Sequence, residues 1–253
     1  EKAAQNSTFK RVIGRWAKKV GAAQQSADKK GVIQALQFAV AKVLVFDKVR
    51  EALGLDRCRL QVTAAAPIGK ETLQFFESLD VPLYEIYGMS ECAGPTTISR
   101  PGQVKLGTTG RALSGTEIKI ADDGEILISG PHVFAGYLHD IESTKAAIDQ
   151  DGWLHTGDLG ELDEAGYLSI TGRKKNIIIT AGGENVAPEM LENILVSMPW
   201  VDQAVVVGDQ RKYLSSLLTV NWDAVQAELP QIQSKAKTVK EVCNCSRFRK
   251  LME

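Results

Sequence analysis

Residues Tyr87-Gly88-Met89-Ser90-Glu91 form the stretch that decides the fold, because two further signatures follow them in a fixed order. These are Trp153-Leu154-His155-Thr156-Gly157-Asp158 and Gly172-Arg173-Lys174-Lys175-Asn176. The first signature continues a stretch, Pro82 to Tyr87, whose composition is typical of a β-strand. Each signature alone is weak evidence, so their order along one chain carries the argument.

The composition is that of an ordinary globular protein. The chain has 253 residues, of which 44% are hydrophobic and 24% charged, with a formal net charge of -1. This balance predicts no nucleic-acid partner. The most apolar stretch, Leu36 to Phe46, is broken by Lys42 and is too short for a bilayer, so no transmembrane segment is expected. The cysteine usage predicts a reducing compartment, and Cys243-Asn244-Cys245 has no nearby His to complete a metal site.

Two helices are predicted near the start of the chain. Apolar residues at helical spacing predict the first one: Phe9, Val12, Ile13, Trp16 and Val20. A polar linker over 21–31 and a second helix over 32–53 follow, and Gly54 is typical of the position just past a helix end. The second helix has its own apolar stripe: Ile33, Leu36, Val40, Val43 and Leu44.

The next segments alternate between strand and helix. Residues 60–65 and 82–87 are predicted to be strands, the first of them buried. Pro67 opens a helix over about 70–79 between them. Strand–helix–strand order is the pattern of a parallel sheet.

The middle of the chain predicts antiparallel β-structure. Residues 116–120 and 125–129 flank Asp122-Asp123-Gly124, a hairpin signal. Residues 159–163 and 167–171 flank a second hairpin signal, Glu164-Ala165-Gly166.

The last part predicts a small α+β unit. It contains strands over 177–180, 201–207 and 214–220 and a helix opened by Pro188, which suits a first-turn position. The fold class is therefore α/β. Residues 1–172 form part of a large domain, with a parallel sheet and an antiparallel β region, and 173–253 form a smaller, incomplete α+β domain. The tail from Gln231 gives no assignable pattern.

The side chains of the first signature suit a phosphorylated ligand with an aromatic base. The Tyr87 ring can stack on a base, and Gly88 lets backbone approach a ligand closely. Ser90 can donate its hydroxyl to a phosphate oxygen, and Glu91 is a hard carboxylate suited to Mg²⁺. The alternative is an ordinary strand end with a buried Tyr and a solvated Glu.

The second and third signatures offer a carboxylate and a cation. Asp158, after a turn-like Thr156-Gly157, can accept both hydroxyls of a ribose, although an Asx turn would explain it as well. Arg173 is an always-charged donor at the predicted domain boundary, and a surface Arg is its alternative. His155 is interpreted as structural.

These signatures resemble the superfamily of acyl-CoA synthetases, luciferases and peptide-synthetase adenylation domains. Ala64-Ala65-Ala66-Pro67-Ile68 resembles the loop that packs against adenine, and residues 181–189 resemble the segment that lines the thiol tunnel. The wider sequence, including Arg15-Trp16-Ala17 and Phe46-Asp47-Lys48-Val49-Arg50, is similar to the long-chain acyl-CoA synthetases, notably their bubblegum-type branch. The resemblance covers roughly residues 9 to 220.

The resemblance implies a two-step reaction. A long-chain fatty acid attacks ATP to give an acyl-adenylate and pyrophosphate, and coenzyme A then displaces AMP to give acyl-CoA. ATP/AMP, Mg²⁺ and coenzyme A are the implied cofactors and co-substrates. The implied location is cytoplasmic, with peripheral association at intracellular membranes left open.

The resemblance also assigns roles to residues of the first signature. Tyr87 would stack on adenine, with Glu85 and Ile86 lining the same pocket. Gly88, Met89 and Ser90 would contact phosphates, and Glu91 would hold Mg²⁺.

Three residues further along the chain complete the implied site. Asp158 would take the ribose hydroxyls and Arg173 would support them. Lys175 matches the hinge about which the small domain swings between the two half-reactions. Ser90, Glu91 and Lys175 form the implied catalytic set.

Two parts of the family pattern have no counterpart here. The Ser/Thr/Gly-rich phosphate loop lies upstream of any matching residue, since Gly107-Thr108-Thr109-Gly110 leads into a strand rather than a helix. Lys240 and Lys250 lack the glycine that accompanies the family's C-terminal catalytic Lys. The chain is therefore expected to be a fragment that binds adenosine nucleotides weakly and makes little acyl-CoA. The alternatives are another carboxylate-adenylating enzyme and a non-catalytic nucleotide- or partner-binding fragment.

Overall fold

The computed structural model describes residues 8–26, 31–66 and 68–252. The chain divides into two compact units. The first unit comprises Glu1–Ala121, Leu127–Thr156 and Glu161–Ile170, and the second comprises Asp122–Ile126, Gly157–Gly160 and Thr171–Glu253. Within the described ranges, none of the helices combines the length and the hydropathy needed to cross a bilayer.

The first predicted helix is confirmed as α1, Thr8–Ser26. It buries Ala17 and Val20. The polar linker was placed too early, because the helix continues to Ser26. Residues 27–30 of that linker and the side chain of Phe9 lie outside the described part of the chain.

The second predicted helix is confirmed as one helical stretch in three parts. These are α2 (Val32–Ala41), a π-helical segment (Lys42–Phe46) and α3 (Asp47–Ala52). Its predicted apolar stripe is exposed, with Ile33 at 76% and Leu36 at 67% of full exposure. The opposite side is buried instead, because Ala41 and Phe46 pack with residues of α1.

A four-stranded sheet follows, with α4 (Lys70–Glu77) between its first two strands. The strands are β1 (Gln61–Thr63), β2 (Leu83–Met89), β3 (Gly94–Ile98) and β4 (Arg111–Ala112), in the order β1-β2-β3-β4. The parallel pairing of β1 with β2 confirms the prediction, and β3 and β4 add antiparallel pairs. The predicted burial of the 60–65 strand is wrong. Leu60 and Val62 are 44% and 49% exposed, since β1 is a short strand at the sheet edge. Pro67 is not among the described residues.

A second four-stranded sheet confirms both predicted hairpins. Its strands are β5 (Glu117–Ile120), β6 (Glu125–Ser129), β7 (Leu154–Leu162) and β8 (Leu168–Arg173), in consecutive order. Helix α5 (Ile141–Ala147) lies between β6 and β7 along the chain, and Asp140 caps it by accepting the Ser143 N–H at 2.9 Å.

The remaining elements belong to the second unit. They are a 3₁₀ turn (Lys174–Asn176), β9 (Ile178–Ile179), β10 (Asn185–Val186), α6 (Pro188–Val196), β11 (Val201–Val207), β12 (Ser215–Val220), α7 (Trp222–Glu228), α8 (Val239–Cys243) and α9 (Ser246–Met252). Pro188 opens α6 and β11 pairs antiparallel with β12, as predicted. The tail has a packing role that the sequence did not indicate, because Val242 and Phe248 are buried against α7.

Candidate functional site

Strand β2 carries the first signature beyond Tyr87 to Met89, further than predicted. Tyr87 pairs with Thr97 of β3, and the register shifts between Tyr87 and Gly88. A Cβ atom at Gly88 would lie 1.9 Å from the Gly94 carbonyl oxygen. Only glycine therefore permits the close approach of β2 to β3 at this point.

The segment after β2 is a 3₁₀ turn, Ser90–Cys92, in which Ser90 is exposed and Glu91 half-buried. The Tyr137 hydroxyl donates to Glu91 Oε1 at 2.8 Å, and the Phe134 N–H donates to the Glu91 carbonyl at 2.7 Å. The hydrogen bond to Glu91 raises the pKa of Tyr137. The loop after β6 therefore fixes the backbone and the carboxylate of Glu91.

Glu85 and Ile86 precede Tyr87 on β2 and are both half-buried. Burial raises the pKa of the Glu85 carboxyl from 4.5 to about 7, although the charge of Lys70 acts in the opposite direction. Ile86 pairs with Ile98 of β3. Near neutral pH, Glu85 thus exchanges between a hydrogen-bond donor and an anion.

Asp158 lies inside β7 rather than after a turn, which corrects the predicted local structure. Gly157 has a φ of +70°, a backbone conformation that β-strands do not otherwise adopt. Asp158 Oδ1 lies 3.2 Å from Arg173 Nε at the end of β8. The Asp158 side chain is 17% exposed and that of Arg173 is 54% exposed. The structure thus brings together two residues that are 15 positions apart in the chain.

Charged residues that the sequence did not single out contact the chain neighbours of this pair. Lys174 Nζ lies 2.5 Å from Asp123 Oδ2 and 3.1 Å from Glu125 Oε2. The other oxygen of Glu125 accepts the Gly157 N–H at 2.9 Å. The hydrogen bond with Asp123 raises the pKa of Lys174, and the same contact lowers the pKa of Asp123. The one sequence signal was an acidic residue, Glu125, opening a strand of apolar residues.

The structure also places Lys175, His155 and residues 107–110, which the sequence analysis had considered. Lys175 is exposed on the 3₁₀ turn after Arg173. His155 Nε2 lies 3.7 Å from Asp149 Oδ2, a residue that also accepts the Trp153 N–H at 2.8 Å. Residues 107–110 lead into β4, as expected of a stretch that is not a phosphate loop.

The candidate residues divide between the two units. Residues 85–91 belong to the first unit, and Asp158, Arg173 and Lys175 belong to the second. Their convergence on one nucleotide stays a prediction. Across 8–26, 31–66 and 68–252, the structure has no group of three or more His, Cys, Asp and Glu residues that could hold a metal ion.

Comparison with known protein families shows which family the chain belongs to. Residues 11–138 match the AMP-binding enzyme family, and residues 175–247 match the AMP-binding enzyme C-terminal domain. The chain belongs to the AMP-binding enzyme family. The two matched regions contain the first signature and the residues that follow Lys174, respectively, and the matches confirm the resemblance drawn from the signatures.

Relatives of this chain are named as long-chain-fatty-acid–CoA ligases. The chain is 45% identical to the long-chain-fatty-acid–CoA ligase ACSBG2 of Xenopus laevis, over 94% of this chain and 35% of that protein. It is 44% identical to the long-chain-fatty-acid–CoA ligase FadD15 of Mycobacterium bovis, over 78% of this chain and 32% of that protein. The chain thus spans about a third of the length of these curated relatives.

Two solved structures share the fold. The o-succinylbenzoate CoA synthetase MenE of Bacillus subtilis, in complex with its acyl-adenylate intermediate, matches with a TM-score of 0.61 and 22% identity, over 89% of this chain and 59% of that one. ATP-bound MatB from Rhodopseudomonas palustris matches with a TM-score of 0.55 and 32% identity, over 64% of this chain and 34% of that one.

Proposed function

We propose that this chain is part of a long-chain fatty acid–CoA ligase, an acid–thiol ligase that adenylates its substrate before transferring it to coenzyme A. The observation that carries the proposal is the paired placement of Asp158 and Arg173, 3.2 Å apart, in a chain whose relatives are named as such ligases. The presence of the Tyr87–Glu91 signature on an ordered strand and turn supports it.

The proposed roles are those that the family resemblance implies. Tyr87 supplies a ring for adenine, and the half-buried Glu85 and Ile86 line the same pocket. Gly88, Met89 and Ser90 contact phosphate oxygens. The exposed Ser90 hydroxyl suits that role.

In the second unit, Asp158 accepts the two ribose hydroxyls. An ionised carboxylate is acceptor-only and has enough lone pairs for both hydroxyls and for the Arg173 contact. Arg173 orients the Asp158 carboxylate through this contact. The mostly buried position of Asp158 makes these bonds stronger than they would be in open water.

Magnesium suits Glu91. Mg²⁺ usually takes one or two protein carboxylates and completes its shell with water and substrate phosphates. A single half-buried carboxylate, held by Tyr137 on one oxygen, fits that requirement. The ion supplies neutralisation of the negative charge on the phosphates when it is bound.

Lys175 is the proposed hinge, and the domain boundary is placed at residues 172–176. Lys175 is exposed on a short 3₁₀ turn, so a change in its backbone angles would not remove its own side chain from the core. Coenzyme A would enter along residues 181–189.

We also propose that the protein is cytoplasmic and associates peripherally with membranes. Residues 8–46 contain eight Lys and Arg against one Asp, a formal charge of +7. The exposed apolar side chains of α2, such as Leu36, lie in the same stretch. Basic segments with an apolar face bind anionic bilayers.

Vesicle sedimentation tests this association. The 253-residue chain should pellet with phosphatidylserine vesicles and much less with phosphatidylcholine vesicles. Leu36→Glu should weaken the binding. Ile194→Glu, at a residue of α6 that is 60% exposed, is the control and should not. Equal binding by the two variants would contradict the proposed surface.

A chimera tests the ligase activity. Residues 8–252 would replace the matching segment of the Xenopus laevis relative, and palmitoyl-CoA formation from palmitate, ATP and coenzyme A would be measured. We expect activity that is lost in a Glu91→Ala chimera. Activity only on aryl or amino acids would favour another adenylating enzyme. Nucleotide binding without any acyl-CoA product would favour a non-catalytic binding fragment.

A further inference from the structure

Glu125 is a buried acidic residue to which the proposed reaction assigns no role. It opens β6, and its side chain is only 6% exposed. A buried carboxylate is costly unless its oxygens are hydrogen-bonded and its charge is paired. Both oxygens of Glu125 are engaged, one by the Gly157 N–H at 2.9 Å and the other by Lys174 Nζ at 3.1 Å.

The two partners of Glu125 flank the proposed ribose-binding pair. Gly157 precedes Asp158 and Lys174 follows Arg173. Glu125 therefore holds the neighbours of both residues through a single side chain. All five residues belong to the second compact unit.

The contact to Gly157 bears on the direction of the Asp158 side chain. Gly157 adopts a φ of +70° within β7, so its backbone departs from strand geometry there. The orientation of the next residue depends on that conformation, and the hydrogen bond to Glu125 holds the Gly157 amide. Asp123, which also pairs with Lys174, anchors the other neighbour.

We propose that Glu125 is a positioning residue that holds Asp158 and Arg173 in the arrangement needed for the two ribose hydroxyls. The inference rests on the proposed function, because it takes Asp158 as the ribose ligand. Glu125 itself does not touch the nucleotide.

The alternative is that Glu125 only stabilises the fold. A stabilising role would lower the affinity for every adenosine nucleotide alike, whereas a positioning role acts on the ribose hydroxyls alone. The discriminating quantity is therefore the ratio of the affinities for AMP and for its 2′,3′-dideoxy analogue. Each hydrogen bond to a charged group contributes about 1.5–3 kcal/mol and the analogue lacks both hydroxyls, so the ratio in the unaltered chain should be at least on the order of 10.

The experiment is an NMR titration of the full chain with both nucleotides. Glu125→Ala should reduce the ratio at least about fivefold, and Glu125→Gln should reduce it less, because the amide oxygen can still accept the Gly157 N–H. Lys105→Met is the control. It removes an ion pair with Asp163 in the first unit, at 2.6 Å, and should leave the ratio unchanged.

A double variant controls for loss of folding caused by an unpaired buried charge. Glu125→Gln with Lys174→Met removes both charges, so no buried charge is left unpaired. Its ratio should also fall. An unchanged ratio in the folded Glu125 variants, with AMP and its analogue weakened in parallel, would overturn the proposal. A chain that binds both nucleotides equally before any substitution would instead overturn the assignment of Asp158, and this proposal with it.

Discussion

The two groups of candidate residues, one in each compact unit and here called the two halves of the proposed site, are positioned in different ways. Residues 87–91 are placed by backbone, through strand pairing, a register shift at Gly88 and a 3₁₀ turn. Asp158 and Arg173 are placed by side-chain charges, namely their own ion pair and the contacts of Glu125 and Lys174. The first arrangement depends on shape and the second on electrostatics, so each should fail under a different kind of substitution.

The backbone-built half should be the more sensitive to added volume. In Gly88→Ala the new methyl group would meet the Gly94 carbonyl oxygen, so β2 and β3 must move apart. Overpacking of this kind costs about 1–3 kcal/mol of unfolding free energy. Chemical denaturation of the chain measures it.

Gly14→Ala is the matched control, because its Cβ meets nothing within 4 Å on helix α1. It should leave the unfolding free energy unchanged or raise it by roughly 0.5–1 kcal/mol. Equal losses of unfolding free energy in the two variants would show that the close approach of β2 to β3 does not require glycine at position 88.

The hydrogen bond between Tyr137 and Glu91 is a side-chain contribution within the backbone-built half. Tyr137→Phe removes the donor to Glu91 Oε1 and leaves the ring in place. A typical intramolecular hydrogen bond contributes about 0.5–1.5 kcal/mol, a range that suits the 40% exposed Tyr137, so the Mg²⁺ concentration that half-saturates ATP binding should rise by roughly twofold to tenfold.

Calorimetric titration of ATP at several Mg²⁺ concentrations measures this effect. Tyr213→Phe is the control, since Tyr213 is 72% exposed in the second unit. If Tyr137→Phe left the Mg²⁺ dependence unchanged, the backbone alone would position Glu91.

Much of the fold was predictable because its signals are local. The hairpin at Asp122-Asp123-Gly124 and the helix opened by Pro188 depend on residues a few positions apart. The strand that carries Tyr87 was predictable from local composition for the same reason. By contrast, Glu125 contacts Gly157 and Lys174 across 32 and 49 positions, and no short pattern encodes those pairs. The exposed stripe of α2 was misjudged because that helix is apolar on more than one side, and periodicity cannot say which side packs.

A further expected effect is a change in the pH dependence of stability. The pKa of Glu85 is about 7 in the fold against a usual 4.5, so between these values the folded state holds a proton that the unfolded state does not. Its contribution is fully present below about pH 4.5 and is lost as pH rises towards 7. Glu85→Gln should flatten this decline. Thermal melts from pH 4.5 to 8 measure it. Glu77, whose pKa burial also raises, keeps its share of the slope in both proteins. If the slope of stability against pH were the same in Glu85→Gln, the raised pKa of Glu85 would be contradicted.

The central claim is that the backbone-built and the charge-built halves serve one nucleotide. A crystal structure of the chain with a non-hydrolysable palmitoyl-adenylate analogue tests it most directly. We predict that adenine lies against the Tyr87 ring, while both ribose hydroxyls donate to Asp158 at about 2.5–3.0 Å. A nucleotide bound to Tyr87 with its ribose out of reach of Asp158, or one bound elsewhere on the chain, would contradict the claim.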